Sequence, residues 1–230
     1  MKKIQFFYSI LFLSIIMGGK AQAQDWPNLS KYQEENAQLK PLAPGEKRIV
    51  LMGDSITEFW SAIDSEYFTG KSYINRGISG QTTPQMLIRF RADVIDLKPT
   101  AVLILAGIND IAGNTGPATL DMIANNIFSM TELAQANQIK VILCSVLPAY
   151  DFSWKPNQNP AEKVVALNQI IKNYANANGI VYLDYFSAMK DDRNGLKTAY
   201  SGDGVHPNQL GYQIMAPLTE KAIKEVLVKK

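Results

Sequence analysis

The chain has 230 residues, 47% of them hydrophobic, with 23 basic and 21 acidic side chains and a formal charge of +2. That length fits one domain with a single sizeable core, and no internal repeat or low-complexity tract interrupts it. So even a charge balance gives no reason to expect nucleic acid or an anionic membrane surface as a partner.

The N-terminus stands apart from the rest. Lys2 and Lys3 precede an apolar run over 4–17, followed by Gly18, Gly19, Lys20 and the triplet Ala21-Gln22-Ala23. A basic start, an apolar stretch and a small-x-small end together read as a secretory signal peptide over 1–23. The competing reading is a membrane anchor, but the run is shorter than the roughly 20 residues a spanning helix needs. The expectation is cleavage near Ala23, no stable anchor, and a mature protein that is periplasmic or secreted. Residues 1–23 hold three of the basic side chains and no acid, leaving 20 basic against 21 acidic residues. Cys144 is the only cysteine. It cannot form an intramolecular disulfide, and its apolar run Val141-Ile142-Leu143-Cys144 suits a buried, inert thiol.

Residues 24–46 read as a lead-in, with a short helix near 30–39 and then the breaker-rich Pro41-Leu42-Ala43-Pro44-Gly45. From 47 to 230 short apolar runs alternate with longer segments of helical period. The runs 48–52, 73–75, 101–106, 140–146 and 180–184 are too short for helices, and most lack polar alternation, as strands buried on both faces do. Helices are predicted near 84–97, 117–137, 161–177 and 208–228. Pro84, Pro117, Pro160 and Pro207 stand near their starts, where a missing N–H is harmless, and Gly179 follows the third as a C-terminal stop. Strand and helix alternating along the whole domain predict an α/β fold, a three-layer α/β/α sandwich around a five-stranded parallel sheet. In such sheets the ligand lies beyond the carboxyl ends of the strands.

The loops at those ends carry a particular set of groups. The first holds Gly53-Asp54-Ser55-Ile56-Thr57, the second Ile78-Ser79-Gly80-Gln81-Thr82, the third Gly107-Ile108-Asn109-Asp110, and the last Asp203-Gly204-Val205-His206-Pro207. A serine hydroxyl needs a base to become a nucleophile, and imidazole is the usual one. His206 is the only histidine. Asp203, three residues earlier, can accept from the imidazole N–H and fix its tautomer. The Asn109 amide and the N–H groups of Ser55 and Gly80 can donate to a developing oxyanion. Taken alone, each segment also fits a plain role: a turn into a Pro-led helix, a capped βα loop, an Asx turn. Taken together on one rim, they are the parts acyl transfer needs.

In these blocks the chain closely resembles the SGNH (GDSL-type) hydrolase family over about 47–228. Gly53-Asp54-Ser55 matches the first block, with Ile56 where the family name has Leu; Gly80 matches the second, Asn109 the third, and the Asp203/His206 pair the fifth. The resemblance implies a flavodoxin-like hydrolase fold, Ser55 as nucleophile, His206 as base, Asp203 as its orienter, and Ser55, Gly80 and Asn109 as the oxyanion hole. The opening through Trp60 is similar to the branch of platelet-activating-factor acetylhydrolases and bacterial carbohydrate esterases, which implies small acyl groups, acetyl above all.

Asp54, Tyr150 and Trp154 are further candidates for touching substrate. The segment Pro148-Ala149-Tyr150-Asp151-Phe152-Ser153-Trp154 follows the fourth strand; its aromatics either stack on a sugar ring or fold over their own small cluster. Asp54 and Asp110 also fit as loop ties, and Asp184 rivals Asp203 as orienter. The favoured function is a secreted esterase acting on a small-molecule or glycan ester, most of all an O-acetyl group on carbohydrate. The alternatives are a lysophospholipase or thioesterase for longer acyl chains, and a non-catalytic glycan binder on the same fold. No cofactor is expected. No metal is expected either, because a catalytic zinc usually takes three protein ligands. Activity should rise with pH through roughly 6–7, where imidazole ordinarily loses its proton.

Overall fold

A computed structural model describes residues 24–229. The reading of 1–23 as an export signal lies outside the described residues. Among those described, no helix is long and apolar enough to cross a membrane.

Five strands form one parallel sheet: β1 (Ile49–Gly53), β2 (Tyr73–Gly77), β3 (Ala101–Leu105), β4 (Lys140–Cys144) and β5 (Val181–Leu183). Their spatial order is β2-β1-β3-β4-β5, the doubly wound order of flavodoxin-like proteins. β1 and β3 are buried along their whole length, so their apolar runs cannot alternate. At the edge, β2 carries Asn75 and Arg76 and is more open at its start. It runs two residues past the predicted 73–75, because pairing with β1 continues as far as Gly53 opposite Gly77.

On one face of the sheet lie α2 (Ser55–Ile63) and α8 (Gln209–Val228); on the other lie α3 (Thr83–Asp93), α5 (Leu120–Ala136) and α6 (Pro160–Ala177). The short helix α1 (Gln33–Gln38) lies in the lead-in before β1, and α4 (Ile108–Ile111) and α7 (Tyr185–Met189) fill connections. The predicted three-layer sandwich is present. Its helix boundaries follow their caps. Thr82 and Gln85 form a capping box at α3 with Pro84 in the first turn, and Pro160 opens α6. Thr119 caps α5 by accepting from Met122 N–H, so that helix starts three residues after Pro117. Asn208 caps α8, leaving Pro207 just outside it. Gly179 follows α6 with φ of +62°, the left-handed stop that glycine allows. The predicted 84–97 helix divides: α3 stops at Asp93, Val94 leaves helical geometry, and Ile95–Leu97 forms a separate 3-10 turn.

The sheet's carboxyl edge is held by one buried cation. Arg89, on α3, is fully buried. Its guanidinium donates to the carbonyls of Gly53 (2.9 Å) and Arg76 (2.9 Å), to Gln81 Oε1 (2.5 Å) and to Asp93 Oδ2 (2.9 Å). Gly53 ends β1 and Arg76 lies in β2, so one side chain fixes both strand ends. The replacement Arg89→Met would strip Asp93 of its cation and remove a donor from the carbonyls of Gly53 and Arg76. The expected cost is about 3–5 kcal/mol in urea unfolding. Arg91→Ala, which opens an exposed pair with Asp96 at 3.9 Å, should cost under about 1 kcal/mol. Equal losses would mean that the Arg89 cluster does not anchor the edge.

Candidate active site

Ser55 is the first residue of α2, delivered by the sharp turn out of β1. Asp54 caps this helix, its Oδ1 accepting from Ile56 N–H at 3.0 Å. The helix can lie close to the sheet because residue 77 is glycine: a Cβ there would stand 2.1 Å from the Glu58 nitrogen. Ser55 is only 6% exposed.

The last βα connection brings His206 over it. Ser55 Oγ and His206 Nε2 are 3.0 Å apart, and His206 Nδ1 lies 2.6 Å from Asp203 Oδ2. With Nδ1–H donated to the carboxylate, Nε2 is left to accept the serine proton. Asp203 is locked in its turn. Its Oδ1 accepts from Ser201 Oγ–H (3.1 Å), Val205 N–H (2.9 Å) and His206 N–H (2.8 Å). Partial burial pushes the Asp203 carboxyl up. The His206 ring and the two backbone N–H groups outweigh that and hold it at about 2. It is therefore ionised throughout the working range, and loses its charge only as pH falls through about 2.

On the other side of Ser55, Gly80 has φ of +76°, a conformation glycine adopts freely. Neither Gly80 N–H nor Ser55 N–H has an acceptor among the described residues. Asn109 is buried, and its amide donates one proton to the Gln81 carbonyl at 3.1 Å. Its second amide proton has no acceptor among the described residues. Together these groups can hold a negative oxygen beside the serine. Asp110 ties this loop to the start of α3, accepting from Thr83 N–H (3.0 Å) and Thr83 Oγ–H (2.6 Å). Desolvation raises its carboxyl to about 6, against the pull of those bonds.

The remaining predicted residues fall in different places. Asp184 caps α7 through Ser187 N–H and Oγ–H, and its hydrogen bonds do not reach His206. Asp54 is 1% exposed, its carboxylate turned to the α2 cap rather than to solvent. Trp154 is half-exposed, with its ring 6.1 Å from that of His206 and stacked at 5.1 Å on buried Phe152. Tyr150 is also half-exposed, but it faces the Arg193 guanidinium at 4.5 Å. The aromatic loop thus has its own buried anchor and two open rings. Cys144 is buried, and burial pushes its thiol well up. No group of three or more His, Cys, Asp or Glu side chains placed to hold a metal occurs among the described residues.

The sequence reading missed Phe59, 5.5 Å from the His206 ring, and Asn114, bonded to Asn109 and Gly80. Phe59 stands four residues after Ser55, one helical turn away, a spacing that would have flagged it had α2 been predicted as a helix.

A parallel α/β sheet with a serine, histidine and aspartate chain at its carboxyl edge is the arrangement of a serine hydrolase. The chain belongs to the GDSL-like Lipase/Acylhydrolase family, matching it over residues 51–214, and it is a carboxylic ester hydrolase. The crystal structure of a proposed acylhydrolase from Bacteroides fragilis is similar at a TM-score of 0.87 and 47% identity, covering 89% of this chain and 99% of that one. Esterase TesA of Pseudomonas aeruginosa is 26% identical over 171 residues, 72% of this chain and 78% of that protein. The acetylxylan esterase of Geobacillus stearothermophilus is 26% identical over 155 residues, 64% of this chain and 69% of its own length.

Asp54 gives this site a stability signature. Desolvation raises its carboxyl to about 7, although Ile56 N–H and His206 pull it down. An unfolded chain releases that proton near 4, so the group costs increasing stability as pH rises from about 4 to 7. Asp54→Asn keeps an accepting oxygen for the cap and removes the titration. Its melting temperature relative to wild type should rise between pH 5 and pH 8. A constant difference across that range would show that Asp54 does not titrate there.

Proposed function

We propose that the protein is an exported esterase that removes small acyl groups, acetyl foremost, from carbohydrate. In this reading Ser55 Oγ attacks the ester carbonyl as His206 Nε2 takes its proton. The tetrahedral oxyanion rests against Ser55 N–H, Gly80 N–H and the free Asn109 amide proton. His206 then protonates the departing alcohol, leaving acyl-Ser55. Water, deprotonated by His206, attacks that ester, and the proton returns to Ser55 as the acid leaves.

The observation that carries the substrate class is the placing of Phe59 and Trp154 about His206, at 5.5 and 6.1 Å between ring centroids. His206 must hand its proton to the alcohol oxygen, so the alcohol lies on the histidine side and the carbonyl oxygen points towards Gly80 and Asn109. Rings around His206 therefore meet the alcohol. Phe59 is 37% and Trp154 49% exposed, and Trp154 is already stacked in place on Phe152. Open, preset aromatic faces suit the apolar face of a sugar ring. Likeness to an acetylxylan esterase supports the same class, and the signal-like segment over 1–23 supports export with a mature start at Gln24.

Residues 24–230 should cleave p-nitrophenyl acetate in preference to octanoate and palmitate, and should release acetate from acetylated xylan. Ser55→Ala should lose nearly all of this activity. Phe59→Ala and Trp154→Ala should each lower kcat/KM on xylan by roughly tenfold, about 1.4 kcal/mol, while sparing ethyl acetate, whose alcohol has no ring. Preference for palmitate would make the substrate a lipid or thioester, and no cleavage of any ester would turn the reading to glycan binding.

The orienter can be tested separately. Asp203→Asn should lower kcat by roughly 10³–10⁴, while Asp184→Asn should stay near wild type. The reverse order would reassign that role.

A further inference from the structure

We infer that Asn114 is a positioning residue that sets the polarity of the oxyanion hole, by holding the Asn109 amide in one of its two orientations. The inference rests on the oxyanion roles proposed above for Asn109 and Gly80.

A primary amide is nearly symmetric in shape and opposite in charge at its two ends. Asn109 helps an oxyanion only if its NH2 faces the cleft; turned over, its carbonyl oxygen would repel the charge it is meant to hold. What decides between the two is the partner at each end. At one end, Asn109 Nδ2 donates to the Gln81 carbonyl at 3.1 Å. At the other, Asn114 Nδ2 donates to Asn109 Oδ1 at 3.0 Å. Gln81 offers a carbonyl oxygen, which only accepts, and Asn114 offers an N–H, which only donates, so both ends favour the same orientation. A flipped amide would place two acceptors together and two donors together.

The second Asn114 amide proton goes to the Gly80 carbonyl at 3.1 Å. One side chain therefore bridges the two loops that supply the hole, and both its amide protons are engaged in doing so. It lies over Asn109 because of how α4 ends. Gly113, at φ +72°, follows the cap residue. Gly113 N–H donates to the Asp110 carbonyl (2.9 Å) and Asn114 N–H to the Asn109 carbonyl (3.0 Å). This paired 5→2 and 6→1 closure is a Schellman motif, and it turns the chain back on the helix it ends. Thr115 Oγ and Thr82 Oγ, 3.0 Å apart, fasten the same turn to the glycine loop.

The experiment is a double-mutant cycle on p-nitrophenyl acetate with Asn109→Ala, Asn114→Ala and the pair, with Ser55→Ala as the reference for lost chemistry. Asn109→Ala should lower kcat by roughly 10²–10³. Asn114→Ala should lower kcat by roughly tenfold with KM little changed, and the pair should be no worse than Asn109→Ala alone, since the bridge acts through that amide. Affinity for phenylboronic acid, which forms a tetrahedral anion on the serine, should fall in Asn114→Ala by the same factor as kcat/KM. A purely structural loss would instead lower the melting temperature or the fraction of active sites titrated, without moving that ratio. Asn114→Asp, close in shape but unable to donate when ionised, should be at least as impaired as Asn114→Ala. Wild-type kcat in Asn114→Ala, or multiplicative losses in the pair, would overturn the inference. Full activity in Asn109→Ala with Ser55→Ala inactive would instead overturn the oxyanion assignment on which it rests.

Discussion

The buried Arg89 guanidinium is the constraint on which the rest of the carboxyl edge depends. Here two carbonyls near the ends of neighbouring strands, at Gly53 and Arg76, point at one cation, and the Gly53 carbonyl also accepts from Ile78 N–H. A buried charge of this kind is costly unless its donors are engaged. Arg89 uses its Nε, one proton of Nη1 and both of Nη2 on four partners. Its bond to Gln81 Oε1 carries the constraint onward. The Gln81 carbonyl is the acceptor that fixes Asn109, so an ion pair inside α3 sets the position of a group at the mouth of the cleft.

The lead-in belongs to that same frame. The Gln81 amide donates to the Pro27 carbonyl at 2.7 Å, and Gln85 donates to the Trp26 carbonyl at 2.8 Å. The Tyr32 hydroxyl donates to the Gly77 carbonyl. Asn36 receives Arg76 on its oxygen and donates to Asp93 Oδ1 with its nitrogen. Residues 26–36 thus act as a strap across the end of β2 and both ends of α3. Each end of Gln81 is held by a different layer, one by the strap and one by Arg89.

How much of this was legible in the sequence depends on where the information lies. Strands buried on both faces announce themselves as unbroken apolar runs, and Gly179 announces the end of α6 through a backbone angle that glycine permits. The blocks around Ser55, Gly80, Asn109 and His206 were visible because chemistry restricts which residue types can occur there. By contrast, α2 was not predicted. Its first turn, Ser55-Ile56-Thr57, is poor in helix formers, and the helix is stabilised by the Asp54 cap and by a close approach to Gly77 that only the fold reveals. The strap was read as a lead-in because its contacts are hydrogen bonds between residues some 40 to 60 positions apart. Periodicity has no access to those. Asn114 was missed for a related reason: the Schellman turn that aims it follows a helix of only four residues.

The carboxyls around the serine follow from the same division between buried and open positions. Asp203, partly exposed and surrounded by donors, is held at about 2, where its charge supports an imidazolium on His206. Asp54 and Asp110 are buried and pushed up to about 7 and about 6. A full negative charge on either, in a medium that screens poorly, would oppose an oxyanion forming at Gly80 and Asn109. Their task is geometric, capping α2 and tying the Asn109 loop to α3. Asp203 thus stands behind the histidine while the N–H donors stand beside the serine, and under the proposed mechanism that asymmetry would direct an ester carbonyl to one side and the departing alcohol to the other.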